Sequence, residues 1–318
     1  MKSLVQVPIV STPTQNISFE KWAHSHIEDF LLAIDCSDFT RKQYRDRLKQ
    51  FLAWLGKVSE DSVRRETILA YRKSMKDQKF QPTTIGAYLV AVRQFFQWLE
   101  IHRLYPDVTK GIKGAKRGRG FRRDALTIPQ IHRLLDSIDR SDSKGRRDFA
   151  LINLLIRTGL RSIEVARCVV GNIRPVNSDA IGLWVQGKGH EEADEFVILT
   201  EDCISPIMAY LSDRGSLKQD DPLFASLSDG SYSSSLSTRT IRRVVKERLR
   251  AIGINSPRLT SHSLRHTAVS LSLEGGASLQ EAQKLARHAD ISTTTIYAHN
   301  IDVSKGIGAR SIEKVLKR

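Results

Sequence analysis

The segment Thr158-Gly159-Leu160-Arg161-Ser162-Ile163-Glu164 reads as a helix end, a glycine turn and a new helix that begins at Arg161. A cation at a helix N-terminus opposes the helix dipole, so an anion is expected beside it. Glu164, three residues on, answers as a local salt bridge; a bound phosphate, held also by the dipole, answers equally well. Further along, His262 and His266 lie four apart on one helix face, with Arg265 between them. That spacing suits two metal ligands. The intervening Ser263, Leu264 and Arg265 lack the glutamate of a zinc protease and set a guanidinium close to the metal, so a metal site is disfavoured. Near the C-terminus, His288 and Tyr297 bracket Ala289-Asp290-Ile291-Ser292-Thr293-Thr294-Thr295-Ile296. Ser292 is expected to cap a short helix with Tyr297 in its second turn, among small polar residues and off any apolar stripe.

Gly182, Gly187 and Lys188 fall at the G-x-x-x-x-G-K spacing of a phosphate-binding loop. The next residue is Gly189, not Ser or Thr, so no hydroxyl is available for magnesium. The chain beyond Gly189 reads as a strand, whereas that loop needs a helix whose N-terminus cradles phosphate. ATP hydrolysis is therefore disfavoured. Lys188 keeps its interest, because a lysine at the tip of a β-hairpin is held out toward a bound ligand.

Fifty Lys and Arg against 35 Asp and Glu leave a formal charge of +15 over 318 residues. Such a surplus repels itself and draws polyanions, nucleic acid first. An anionic membrane surface is the competing reading. It requires a basic amphipathic helix with Trp or Phe opposite the charges, and none stands apart from a core pattern. No stretch approaches the ~18 uncharged apolar residues of a membrane span. Hydrophobic residues at 40% together with 19 glycines give an ordinary globular composition and exclude disorder as the dominant state. Three scattered cysteines, Cys36, Cys168 and Cys203, form no CxxC pair and fit a reducing, cytoplasmic setting.

The elements that must position these side chains fall into two bodies, as the chain length suggests. After a flexible N-terminus over 1–17, four amphipathic helices are expected. Phe19, Ala23, Ile27, Phe30, Leu31 and Ile34 form the first stripe, behind Ser18 as N-cap. Thr40 and Gln43 make a capping box before Tyr44, Leu48, Phe51, Leu52 and Leu55, and Gly56 supplies a stop. Ile68, Tyr71 and Met75 mark the third helix, and Ile85, Leu89, Val92, Phe96 and Leu99 the fourth, after Pro82. Next comes a basic stretch with Lys110, Lys113, Lys116, Arg117, Arg119, Arg122 and Arg123 and no acid, expected as an exposed linker. The second body is read as mostly helical with a small antiparallel sheet. Pro129 opens its first helix, and the apolar run 149–156 is a buried one. Strands are expected over 180–185 and 195–199, then helices over 238–252, 262–274, 279–287 and 293–299.

The order is specific: Arg161, Lys188, His262 with Arg265 three residues later, His288, then Tyr297 nine residues on. With it the chain resembles the tyrosine recombinase family, the phage integrase and Xer-type site-specific recombinases, from about Ser18 to its end. TGLRSIE (158–164), HSLRHT (262–267) and LARHADISTTTIYAH (285–299) carry the match. The resemblance implies an N-terminal helical core-binding domain (18–105), a basic linker (106–123) that lies along DNA phosphates, and a catalytic domain (124–318). One position departs: the family usually has Gly directly before its second catalytic histidine, and this chain has Arg287. That changes the demand on the backbone, since Gly takes positive φ readily, and adds a cation near the phosphate.

The chemistry that the resemblance implies is phosphodiester transesterification with no cofactor, ATP or metal. Arg161 and Arg265 grip the non-bridging oxygens. Tyr297 attacks, His262 serves as acid/base, His288 hydrogen-bonds the phosphate, and Lys188 protonates the departing 5′ oxygen. Glu164 and His266 orient the arginines from behind. The product is a 3′-phosphotyrosyl linkage that a 5′ hydroxyl of another strand attacks. The partner is double-stranded DNA carrying specific sites, with four subunits on two duplexes and accessory DNA-bending or directionality factors alongside. The tail, 298–318, is expected to dock on a neighbouring subunit. The short segment before Ser18 leaves no room for an arm-site DNA-binding domain, favouring a simpler recombinase. Two other readings compete: a type IB topoisomerase-like enzyme, and a DNA-binding regulator or architectural protein that has lost catalysis. The second should lack an Arg, Lys or Tyr of the set, and none is lacking. Integration, excision, dimer resolution and inversion all use these same residues.

Overall fold

The computed structural model describes residues 18–58, 62–114, 125–187, 192–228, 231–305, 312 and 316. The chain divides into two compact units, Met1–Arg119 and Gly120–Arg318. The described residues are mostly helical with a small antiparallel sheet in the second unit.

The first unit is a bundle of α1 (Phe19–Ala33), α2 (Asp38–Val58), α3 (Arg65–Asp77) and α4 (Pro82–Ile101). Their apolar stripes meet in one core rich in aromatic rings, among them Phe19, Phe30, Phe51 and Phe96. Pro82 opens α4, where its missing N–H is no loss. Ser18 stands at the N-cap of α1 as expected, its carbonyl accepting the Trp22 N–H at 3.1 Å, without a cap bond from its side chain. Two local expectations are corrected. The α2 cap is Ser37, whose Oγ accepts the Thr40 N–H at 3.3 Å, so Thr40 lies inside the helix. Gly56 does not end α2, which runs on to Val58.

The start of the expected linker is also folded, against the reading of an exposed strap. Ile112 is buried in the first core, and Asp107 accepts the Thr109 N–H at 2.8 Å. Arg72 and Arg93 donate to the carbonyls of Lys113 and Ile112 at 2.9 and 3.0 Å, and Lys110 pairs with Glu100 at 2.7 Å. One isoleucine and several charged anchors suffice to hold this segment down. Lys116, Arg117, Arg119, Arg122 and Arg123 lie outside the described residues.

The second unit contains α5 (Ile128–Asp136), α6 (Ser143–Thr158), α7 (Ser162–Arg167), α8 (Glu201–Ser212), α9 (Thr238–Ala251), α10 (Ser261–Glu274), α11 (Leu279–Ala286) and α12 (Ile291–Lys305). Strands β1 (Ile173–Pro175), β2 (Ile181–Val185) and β3 (Glu195–Ile198) form an antiparallel sheet in that order, with Val185 opposite Glu195. A separate hairpin pairs β4 (Ala225–Ser228) with β5 (Ser231–Ser235). The buried α6 is the spine: Ala150, Leu151, Ile152, Leu154 and Leu155 are all fully covered.

Candidate active site

Gly159 ends α6 in the left-handed conformation, φ 64°. An ideal Cβ there would sit 3.2 Å from the Ala268 Cβ of α10, so glycine answers both the turn and the close packing. The turn delivers Arg161 to the start of α7. Its backbone N–H and its guanidinium both donate to Glu164, at 2.7 and 2.6 Å. The expected local salt bridge is therefore formed.

Arg265 projects from α10 and is 2% exposed. It donates to the Gly159 carbonyl at 2.8 Å and to the Ala286 carbonyl. These carbonyls close α6 and α11, so the buried cation rests on the partly negative ends of two helices. Burial, then the nearby Arg161 and Arg287 charges, push Arg265 down to about 9, still protonated at neutral pH. Glu164 is drawn upward by burial, but Arg287 and Arg161 outweigh that and hold it below the usual carboxylate range.

The other histidine and the tyrosine come from the junction of α11 and α12. Asp290 stands just before α12 and accepts from the Ser292 N–H and hydroxyl at 2.8 and 2.7 Å. Asp290, not Ser292, therefore starts the helix, which runs to Lys305 and is longer than expected. Tyr297 is 4% exposed and packs on Val269, Ala282 and Ala286, so it has an apolar seat that the sequence did not disclose. Burial raises its phenol to about 12, with Arg265 pulling the other way. The His288 ring lies 6.2 Å from the Tyr297 ring, and its Nδ1 is 2.9 Å from Thr294 Oγ1. Burial and the Arg265 and Arg161 charges lower His288 to about 4, leaving a neutral imidazole.

Arg161, His262, Arg265, His288 and Tyr297 line one cavity of about 400 Å³. His266 lies in the same wall, its ring centroid 5.1 Å from those of both His262 and Tyr297. Its ring thus neighbours both the acid/base candidate and the tyrosine. Lys188 lies outside the described residues, in the connection between β2 and β3. Among the described residues no group of three His, Cys, Asp or Glu side chains is gathered as a metal site.

Sequence reading found α9 but missed its basic face. Ile241, Val244, Val245 and Leu249 face the core, leaving Arg239, Arg242 and Arg243 exposed. Arg242 and Lys246 line a neighbouring cavity of about 640 Å³ together with Arg161 and His262. The period of those four apolar residues was the signal that would have found this face.

Residues 124–303 match the phage integrase family, and residues 20–102 match the phage integrase N-terminal SAM-like domain. The chain belongs to the phage integrase family. Within this family, the tyrosine recombinase XerD of Pseudomonas putida is 31% identical over 287 residues, 87% of this chain and 93% of that protein. XerD of Halalkalibacterium halodurans is 30% identical over 272 residues, 83% and 87% of the two chains. In fold, the chain is similar to the XerH recombinase bound to palindromic difH substrate in a post-cleavage complex, with a TM-score of 0.73 at 20% identity over 93% of this chain and 85% of that one. A lambda integrase tetramer bound to a Holliday junction gives 0.69 at 16% identity, over 89% and 78%. Among the described residues no helix is long and apolar enough to cross a membrane.

Proposed function

We propose that this family member is a site-specific DNA recombinase that breaks and rejoins strands through a 3′-phosphotyrosyl intermediate. The observation that carries the reading is the one cavity lined by two arginines, three histidines and a tyrosine. Arg161, Arg265 and Arg287 stand around one buried carboxylate, Glu164, and give the site the cationic groups that a phosphodiester calls for. Arg161 and Arg265 take the non-bridging oxygens and stabilise the charge that grows on them during attack.

The Tyr297 oxygen forms a bond to phosphorus while the bond from phosphorus to the 5′ oxygen breaks. With its phenol raised to about 12, Tyr297 is almost wholly protonated at neutral pH, so its proton leaves during the attack, to His262. Neutral His288 hydrogen-bonds the phosphate, and Lys188 gives the departing 5′ oxygen its proton. Ligation runs the same steps backward with a 5′ hydroxyl from another strand. One ester replaces another, so no external energy source enters. The exposed arginines of α9 and the basic residues 113–123 contact flanking phosphates. By likeness to the lambda integrase tetramer, four subunits act on two duplexes, in the cytoplasm and on the nucleoid while bound.

Footprinting on a genomic fragment library locates the site, and a nicked duplex carrying it then traps a denaturation-resistant protein–DNA adduct. Tyr297→Phe abolishes the adduct and leaves DNA affinity nearly intact. An adduct formed by the Phe variant would remove Tyr297 as the nucleophile, and DNA binding without any adduct from the unsubstituted protein would favour the architectural reading.

A further inference from the structure

Arg287 occupies a backbone position that suits glycine. Its φ is 50°, the left-handed region, and it caps α11 directly before His288. A side chain held there against its own preference marks a position where something else is gained. The side chain turns inward and is 7% exposed. Its guanidinium donates to Glu164 Oε2 at 2.8 Å, the oxygen that also accepts the Arg161 N–H at 2.7 Å. The other Glu164 oxygen receives the Arg161 guanidinium at 2.6 Å. The Arg287 carbonyl accepts from that same guanidinium at 3.4 Å. Arg287 Nε also lies 3.6 Å from Glu195 at the start of β3.

We infer that Arg287 is a positioning residue: by tying Glu164 to the end of α11, it fixes the direction in which Arg161 meets the scissile phosphate. The inference rests on the proposed strand-transfer reading. Arg161 holds both Glu164 oxygens, but both residues belong to the start of α7 and can shift together with that short helix. The hydrogen bond from Arg287 ties the same carboxylate to the end of α11 and removes that freedom.

The test is a double-mutant cycle on the first-order rate of adduct formation, at DNA concentrations saturating for each protein, with DNA affinity measured alongside. Arg287→Gly is chosen because glycine takes the observed φ without strain, so the fold is kept; Glu164→Asp keeps the charge and shortens its reach. Each single change is expected to slow cleavage by about 10- to 100-fold, the scale of a misplaced catalytic group, with affinity altered by less than about threefold. The double variant is expected to be no slower than the slower single by more than about twofold, because both act through one carboxylate. Multiplied losses would overturn the inference and assign Arg287 a separate phosphate contact. An Arg287→Gly rate within about twofold of the unsubstituted protein would overturn it as well, and needs no Glu164 variant. If the unsubstituted protein forms no adduct, the strand-transfer reading itself fails.

Discussion

His288 offers a test of the site's electrostatics that needs no DNA. Its imidazole is lowered from its ordinary value near 6.5 to about 4, first by burial, then by Arg265 and Arg161. The folded protein therefore prefers the neutral ring, and the unfolded chain takes up a proton first as the solution is acidified. The neutral ring's contribution to stability is complete above about pH 6.5 and is lost as pH falls toward about 4. Fully expressed, the shift corresponds to about 3 kcal/mol; the ring is only half-buried, and solvent screening reduces this to about 1–2 kcal/mol. His288→Asn keeps a hydrogen-bonding group near Thr294 and cannot titrate. Urea unfolding at pH 7 and pH 4.5 should show the unsubstituted protein losing about 1–2 kcal/mol more than the variant. Proton NMR of the His288 ring reads the same equilibrium directly. Parallel stability losses in the two proteins, or a ring that titrates near 6.5, would refute the argument that these guanidinium groups act on it.

Gly159→Ala should destabilise the protein by about 1–2 kcal/mol through the left-handed backbone alone, lowering the melting temperature by about 2–8 °C. It should also slow adduct formation, because the Gly159 carbonyl anchors Arg265; calorimetry and the nicked-substrate assay read the two effects separately. Neutralising Lys113, Lys116, Arg117 and Arg119 together should weaken binding to all sequences alike and reduce the salt slope by up to about 3–4. An unchanged slope in a filter-binding titration would mean that this stretch is only a solvated tether.

Long helices with strong apolar periods were legible from the residues. The stripes of α1, α3 and α4 bury the side chains their spacing selects, except Ile34, which lies just past α1 and is half-buried, and α6 is covered over the expected apolar run from Ala150 onward. The short strands were harder. β1 has three residues, and β4 and β5 are serine-rich, so neither alternation nor β-branching marks them. In α8, Pro206 sits inside the helix and breaks the usual reading of proline as an end signal. At the site, the order of Arg161, His262, Arg265, His288 and Tyr297 disclosed the chemistry, and the fold brings all five to one cavity. The clamp of Glu164 between two arginines was only half legible. Arg161 is its near neighbour in sequence, whereas Arg287 is 123 residues away and meets it only because the end of α11 approaches α7.

The anchoring of Arg265 has a consequence for divergence. Its guanidinium rests on main-chain oxygens, those of Gly159 and Ala286, and every amino acid supplies such an oxygen. Mutational drift at position 286 can alter the side chain without moving the guanidinium, provided the replacement is small enough for the seat that alanine now fills. A lineage can thus rewrite much of its surrounding sequence while the cation stays put.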